Sequence, residues 1–249
     1  MPSDAKPDYT DLDLPEPPSE RPYVLTNMVI SADGTVVLEG TERGLGSPTD
    51  QRLLRELRVN ADAVLNGAET LRVSGSSSRV RHDDLLELRA ARGLPPNPIG
   101  VVVSRSGVLP LEAAFFTADD FRAVVFLAEG APADRKAALV ATGREVVELP
   151  REDSFGWMLR YLRVQLGVLV LVVEGGARVN GALFDAGLVD EYFLTMAARV
   201  VGGRGGQPAV VSERESTWAE VTELEVVSAV PNPETGEMYL RYRVVRPSS

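Results

Sequence analysis

Apolar residues in this chain fall into short continuous runs separated by amphipathic stretches. The runs Tyr23 to Ile30, Ala63 to Leu65, Ile99 to Val103, Ala123 to Leu127, Glu145 to Glu148 and Val168 to Val173 predict strands. Helical patterns lie between them, so the expected class is α/β, with a mostly parallel central sheet flanked by helices. One helix starts at Ser47-Pro48-Thr49-Asp50, read as an N-cap, a proline at the first helical position and a capping-box acid. It carries Leu53, Leu54 and Leu57 on one face to about Asn60. A second begins near Asp153 or Ser154, aligns Met158, Leu159, Leu162 and Leu166, and stops at Gly167. Further on the pattern changes to strands over Glu191 to Met196, Ala219 to Ala229 and Met238 to Val245. The last two are joined across 231–236 and predict a C-terminal antiparallel hairpin. Residues 1–20 place five prolines among acidic residues and read as an extended arm that buries little. Residues 21–249 read as a single domain.

The run beginning at Val168 ends abruptly in Glu174-Gly175-Gly176, and a helical stretch from Ala177 to Ala186 follows, closed by Gly187. Two glycines on a strand-to-helix turn let backbone approach a ligand closely. The exposed N–H groups and the positive end of the helix dipole there suit a phosphate. An ordinary tight turn with a capping carboxylate is the competing reading, and this motif alone leaves both open.

Composition narrows the chemistry. The 36 acidic and 26 basic residues give a net charge of −10, which argues against a nucleic-acid partner. With no cysteine and one histidine, disulfides, thiolate nucleophiles, thiolate metal sites and histidine-cluster metal sites are excluded, and no metal is expected. His82 lies in a polar stretch and reads as solvated. The apolar runs are too short to span a membrane and the N-terminus shows no basic-then-apolar signal, so a cytoplasmic location is expected.

Four other segments carry candidate chemistry. Asn27 to Gly34 takes a strand into a turn in which Asp33-Gly34 is an ordinary turn signal. Leu57-Arg58 ends the first helix. The strand from Ala63 leads to Gly67-Ala68-Glu69-Thr70, where a hydroxyl can meet a ligand. Ser104-Arg105-Ser106-Gly107 ends another strand with two hydroxyls and a guanidinium, a group that can fork onto a 2′-phosphate.

In order and spacing, these segments resemble the pyrimidine reductase family of riboflavin biosynthesis. The matching stretches are Arg21-Pro22-Tyr23-Val24, Ser31-Ala32-Asp33-Gly34, Leu57-Arg58, Asp62 to Thr70, Val173-Glu174-Gly175-Gly176, Gly187 to Glu191 and Val201-Gly202-Gly203. Together they span about Arg21 to Gly206. The resemblance implies a dihydrofolate-reductase-like fold, NADPH as cofactor, and hydride transfer to the ribosyl carbon of a ribosylamino-pyrimidine 5′-phosphate. No Gly-x-Gly-x-x-Gly fingerprint follows any predicted strand, in keeping with a cofactor site unlike a Rossmann domain.

By the same resemblance, Thr70, Ser74, Ser104 and Arg105 line the cofactor. Gly175, Gly176, Ala177, Arg178, Val179 and Asn180 hold its pyrophosphate, within a stretch running to Ala182. Arg58 neutralises the substrate phosphate, Glu174 faces the substrate and stabilises a cationic imine, and Asp33 is the candidate proton-supplying acid. Asn27 is similar to the single-function members, and a homodimer is implied. The family's acidic segment after the threonine is replaced here by Leu71 to Arg81, with Arg81 where a substrate-binding arginine would lie. The Ser-Gly-rich tract 74–78 reads as a loop over the site. The bifunctional members add a zinc deaminase domain, for which this chain has neither room nor cysteines, so a stand-alone reductase is expected. A paralogue reducing a pterin or another small imine or carbonyl compound, and a non-catalytic nucleotide-binding protein, remain the other readings.

Overall fold

Continuous burial on both faces accounts for the centre of the molecule, where strands rich in Val, Leu and Ile pair in parallel. The computed structural model describes residues 6–37, 44–75, 77–202, 207–212 and 217–246. Its elements are β1 (Tyr23–Ser31), β2 (Thr35–Val37), α1 (Pro48–Asn60), β3 (Ala63–Gly67), α2 (Ala68–Ser74), α3 (Asp83–Ala91), β4 (Ile99–Ser104), α4 (Ala114–Thr117), β5 (Ala123–Ala128) and α5 (Ala133–Ala141). They continue with β6 (Glu145–Leu149), α6 (Ser154–Leu166), β7 (Val170–Val173), α7 (Ala177–Asp185), β8 (Glu191–Ala197), β9 (Gln207–Pro208), β10 (Leu224–Pro231) and β11 (Met238–Val244). Nine strands form one sheet in the order β10-β11-β8-β1-β7-β3-β4-β5-β6, and β2 pairs with β9 separately. Every pair from β8 to β6 is parallel, while β11 joins β8, and β10 joins β11, antiparallel. This is the expected mostly parallel sheet with a C-terminal antiparallel hairpin.

The sheet buries its two faces differently. On one, Leu65, Val101 and Val173 pack against Met158, Leu159 and Leu162 of α6 and Leu183 of α7. On the other, Leu25, Val64 and Val172 pack against Leu53 and Leu57 of α1. Leu57 is wholly buried, worth about 2 kcal/mol for such a side chain. Farther along that sheet, Val102, Val125 and Leu127 meet Leu71, Phe115, Phe116, Phe121 and Leu139.

Helix α1 is fixed at both ends. Ser47 Oγ accepts hydrogen bonds from the amides of Thr49 (3.1 Å) and Asp50 (3.3 Å), as an N-cap should. The acid that receives the Ser47 amide is Glu237 in the distant hairpin (2.7 Å), where the sequence pattern pointed to Asp50. At the other end Arg89, 1% exposed, donates to the carbonyls of Arg58 (2.7 Å), Val59 (3.2 Å), Ala61 (2.8 Å) and Pro95 (2.7 Å). The planar fork of an arginine supplies donors to the carbonyls left at the end of the helix and to that of Pro95.

Three expectations need correction. The arm is docked: Tyr9 is buried edge-on against Phe193 with ring centroids 4.9 Å apart, and Glu56 accepts hydrogen bonds from Lys6 Nζ (2.8 Å) and the Tyr9 amide (3.2 Å). Tyr9 shares one core cluster with Phe193 of β8 and Leu53 and Leu57 of α1, with Leu12 and Leu14 packed against it. The tract before Arg81 is not an open loop, because Ser77, Ser78 and Val80 are buried, while Ser76 lies outside the described residues. Two strands also begin later than the pattern predicts. The Val168 amide closes α6 by donating to Leu162 O (3.0 Å), and Trp218–Glu220 form a 3-10 turn capped by Thr217, so β10 starts only at Leu224.

Candidate functional site

Strand register builds the site. Leu25, Val172 and Val64 lie side by side on β1, β7 and β3, facing α1. Side chains alternate along a strand, so two residues on, Asn27, Glu174 and Asn66 form the next row on the same face. The Glu174 amide still donates to Leu65 O (3.0 Å), which keeps the ladder in register to that row. An apolar row is thus followed by an amide, a carboxylate and an amide at the C-terminal edge of the sheet, where ligands of open α/β sheets bind.

Arg58 reaches this row from α1. Its Nε and Nη2 donate to the two carboxylate oxygens of Glu174, and its Nη1 donates to Arg79 O (2.5 Å). The side chains are 2% and 5% exposed, so this is a buried bidentate pair that fixes the carboxylate's orientation. The structure therefore brings Arg58 and Glu174 together, but spends the Arg58 guanidinium on Glu174 in place of an open phosphate position. The neighbouring cations are Arg55, one helical turn back and half-buried, and exposed Arg81. Arg55 Nη1 also donates to Arg79 O (3.3 Å). Burial first, and then the charge of Arg58, push the Arg55 guanidinium down to about 10. No described carboxylate lies within ion-pair distance of Arg55 or Arg81. Arg81 holds a left-handed backbone with φ of 73°, uncommon for a residue with a Cβ.

The turn after Glu174 has the geometry a phosphate would need. Gly175 and Gly176 have φ of 119° and 94°, open to glycine alone. Gly67 of β3 presses against them, its amide donating to Gly175 O (3.0 Å). A Cβ on Gly175 would lie 3.8 Å from Thr70 Oγ1 and 3.5 Å from Met28 Sδ, so Thr70 borders the turn. The amides of Val179 and Asn180 both donate to Gly176 O, at 2.7 and 3.0 Å. Those of Ala177 and Arg178 open α7 with no partner in the helix, as first-turn amides do. Strands β7, β3 and β4 are neighbours, so this turn, Thr70 and the Ser104-Arg105 loop share one edge.

Other candidates are placed differently. Val179 packs its side chain into the core, and Asn180 is fully buried with its Nδ2 donating to Ala209 O (3.1 Å), so within this pair only the backbone faces the turn. Ser74 Oγ donates to Thr70 O (2.7 Å), and Ser104 Oγ accepts from the Gly107 amide (3.0 Å), both closing local turns. Arg105 and Arg178 are exposed. The Asp33 carboxylate accepts from Ser31 Oγ (2.5 Å) and from the amides of Gly202 (2.7 Å) and Val201 (3.1 Å). Those bonds, the Ser31 hydroxyl foremost, hold it down at about 2, so near neutral pH it is a charged turn anchor rather than a proton donor. Among the described residues no cluster of His, Asp and Glu could hold a metal ion, and no helix is long and apolar enough to cross a membrane.

Two residues absent from the sequence-derived set lie in the same place. Asn66 interrupts an otherwise buried apolar strand, and Arg55 precedes Arg58 by one turn. Each left a trace in the sequence, an amide inside a strand run and a second arginine on one helix face.

Solved reductase structures share this fold. A pyrimidine reductase-like protein from Corynebacterium diphtheriae is 24% identical and superposes with a TM-score of 0.82, over 91% of this chain and 93% of that one. RibD from Acinetobacter baumannii is 21% identical with a TM-score of 0.74, over 92% of this chain and 59% of that one. The class is thus the mostly parallel α/β fold of RibD reductase domains. The family model described as the RibD C-terminal domain matches residues 22–231, and the chain belongs to that family. A relative from Methanothermobacter thermautotrophicus, named 2,5-diamino-6-ribosylamino-4(3H)-pyrimidinone 5′-phosphate reductase, is 30% identical over 83% of this chain and 91% of that protein. The same name belongs to a relative from Archaeoglobus fulgidus, 32% identical over 74% of this chain and 84% of that protein.

Proposed function

We propose that this chain is an NADPH-dependent reductase acting on a ribosylamino-pyrimidine 5′-phosphate. The observation that carries the reading is the buried Glu174 carboxylate, locked by Arg58 beside the Gly175-Gly176 turn and in line with Asn27. The names of the full-length relatives supply the substrate class.

The residues present fit the cofactor. The glycine turn offers backbone without Cβ atoms, the first amides of α7 point their donors outward, and Thr70 borders the turn. Arg105 at the end of β4 is the candidate for the 2′-phosphate. Bound there, a reduced nicotinamide supplies the hydride. Glu174 contributes a fixed negative charge where positive charge develops on the substrate's amino-linked ribosyl carbon, and a preorganised charge in a dry site needs no reorganisation. Arg58 holds that carboxylate in one orientation, and Asn27 hydrogen-bonds the substrate beside it. The substrate phosphate falls to Arg55 and Arg81, the cations left without a carboxylate, and the strained backbone at Arg81 is consistent with a position kept for binding. Asp33 anchors the turn to residues 201–202. A homodimer, with the exposed β10 edge among its candidate surfaces, belongs to the same reading, and light scattering tests it.

The test is NADPH oxidation followed by absorbance, with the ribosylamino-pyrimidine phosphate and dihydrofolate side by side. Turnover of the pyrimidine alone is expected. Turnover of dihydrofolate alone, or of neither, refutes the substrate assignment.

A further inference from the structure

Buried polar side chains almost always find a partner, and an orphan at a ligand-facing edge points to a ligand that completes it. Among the described residues, the orphaned buried side-chain atoms are Asn66 Oδ1, Ser77 Oγ, Ser78 Oγ, Asn180 Oδ1 and Arg144 Nε. Asn66 stands out because of its neighbours. It is 6% exposed, sits in the central strand β3, and follows Leu65, which pairs with Val173 and whose carbonyl accepts from the Glu174 amide (3.0 Å). Its other lateral neighbour is Val102 of β4, wholly buried. Ser78 precedes Arg79, whose carbonyl receives the Arg58 guanidinium, so a second orphan adjoins the far side of the Arg58–Glu174 pair. Asparagine is disfavoured in strands, and an unpaired amide there lowers stability, so local packing gives no reason for it. Departures of this kind gather where function demands them.

We propose that Asn66 is a substrate-binding residue whose carboxamide hydrogen-bonds the polar edge of the substrate's heterocyclic base, beside the group that faces Glu174. The inference rests on the pyrimidine reading above and goes beyond it by naming the residue that meets the base. The wall around Asn66 decides which part of the substrate it meets. One orphan acceptor, Asn66 Oδ1, against apolar Val102 matches a flat ring that offers an N–H donor at its edge and an apolar face to the side chain. A ribosyl group, with its ring oxygen and its 2′- and 3′-hydroxyls, would require several polar partners there. The phosphate is excluded from this position because Glu174 is adjacent and the uncompensated arginines are elsewhere.

The experiment compares wild type with Asn66→Val, a change that suits a buried strand. Two probes are titrated by calorimetry in the presence of NADPH: 5,6-diaminouracil, which carries the base alone, and ribose 5-phosphate, which carries the rest. The expected result is at least tenfold weaker binding of diaminouracil, ribose 5-phosphate binding within twofold, NADPH affinity within twofold, and an unfolding temperature equal to or above wild type. A purely structural amide would instead leave diaminouracil binding unchanged and lower the unfolding temperature, and that pattern overturns the inference. So does a loss confined to ribose 5-phosphate, or failure of the wild type to bind diaminouracil. Because binding is read without turnover, a wild type that binds diaminouracil but reduces no pyrimidine phosphate refutes the functional reading while leaving Asn66 in its role toward a base.

Discussion

Residues 207–212 run across α7 as a strap, and Gly181 is where they touch. A Cβ on Gly181 would sit on Val211 O, 2.5 Å from Val211 C and 3.0 Å from Ser212 N. Carbon atoms pack at about 3.5–4.0 Å, so Gly181→Ala requires the strap to retreat by roughly 1 Å or more. Its contacts with α7 include three hydrogen bonds: the Val211 amide to Ala177 O (2.9 Å), Asn180 Nδ2 to Ala209 O (3.1 Å) and Ser212 Oγ to Asp185 Oδ2 (2.7 Å). At about 0.5–1.5 kcal/mol each, their loss amounts to roughly 1.5–4.5 kcal/mol. Against this stands a gain of about 1 kcal/mol, because alanine is the better helix former. The opposing terms fall on different parts of the molecule. The helix improves while the strap is released, so the global unfolding midpoint moves little and the local change is large. Hydrogen exchange at the Val211 amide is the assay, with at least tenfold faster exchange expected, and since Ala177 opens α7 the KM for NADPH should rise severalfold. Unchanged Val211 protection together with a raised midpoint, the signature of a simple helix improvement, would refute the reasoning.

Other perturbations separate charge from packing. Glu174→Gln keeps the shape and removes the charge, so kcat should fall at least a hundredfold with NADPH KM within threefold; equal kcat in steady-state assays would remove the carboxylate from the chemistry. Burial, opposed by a hydrogen bond from Thr195 and aided by nearby Glu237, pushes Asp50 up to about 6. A carboxyl that holds its proton more tightly when folded makes the protein less stable as pH rises from about 4 to about 6, with the full penalty present above that range. Urea denaturation should therefore show Asp50→Asn more stable than wild type by roughly 1–3 kcal/mol at pH 7.5 and equal to it near pH 3.5. Arg89→Ala removes a donor from three carbonyls at the end of α1 and from that of Pro95 and should cost about 3–5 kcal/mol, while Arg89→Lys, lacking the planar fork, recovers less than half; full recovery by lysine in the same denaturation experiment would contradict the geometric account.

What the sequence reveals of this fold depends on where the determining contacts lie. β1, β4 and β5 were readable because each is a buried run, and α6 because Gly167 ends it at a positive φ of 69°. Helix α3 is faint because one of its two buried side chains is Arg89, a polar residue where the pattern would need an apolar one. The docking of Tyr9 is invisible, since a single aromatic among prolines and acids carries no periodicity. Residues Glu174 and Arg58 were each legible as chemistry, but their union spans 116 positions and depends on α1 crossing the end of β7. The row Asn27, Glu174 and Asn66 exists only because β7, late in the chain, inserts between β1 and β3. Local spacing holds no record of that insertion.

The bond between Ser47 and Glu237 has a bearing on how the molecule forms. It joins residues 190 positions apart, and the helix whose start it secures also presents Arg55 and Arg58. Bringing such distant segments together requires loop-closure entropy to be overcome before any contact rewards it. Helix α1 therefore cannot reach its final capped state until the β10–β11 hairpin has been made and has found β8. The parallel centre can assemble earlier, from strands already present. A growing chain would thus acquire most of its core before its arginines are seated, leaving completion of the site among the last events of folding.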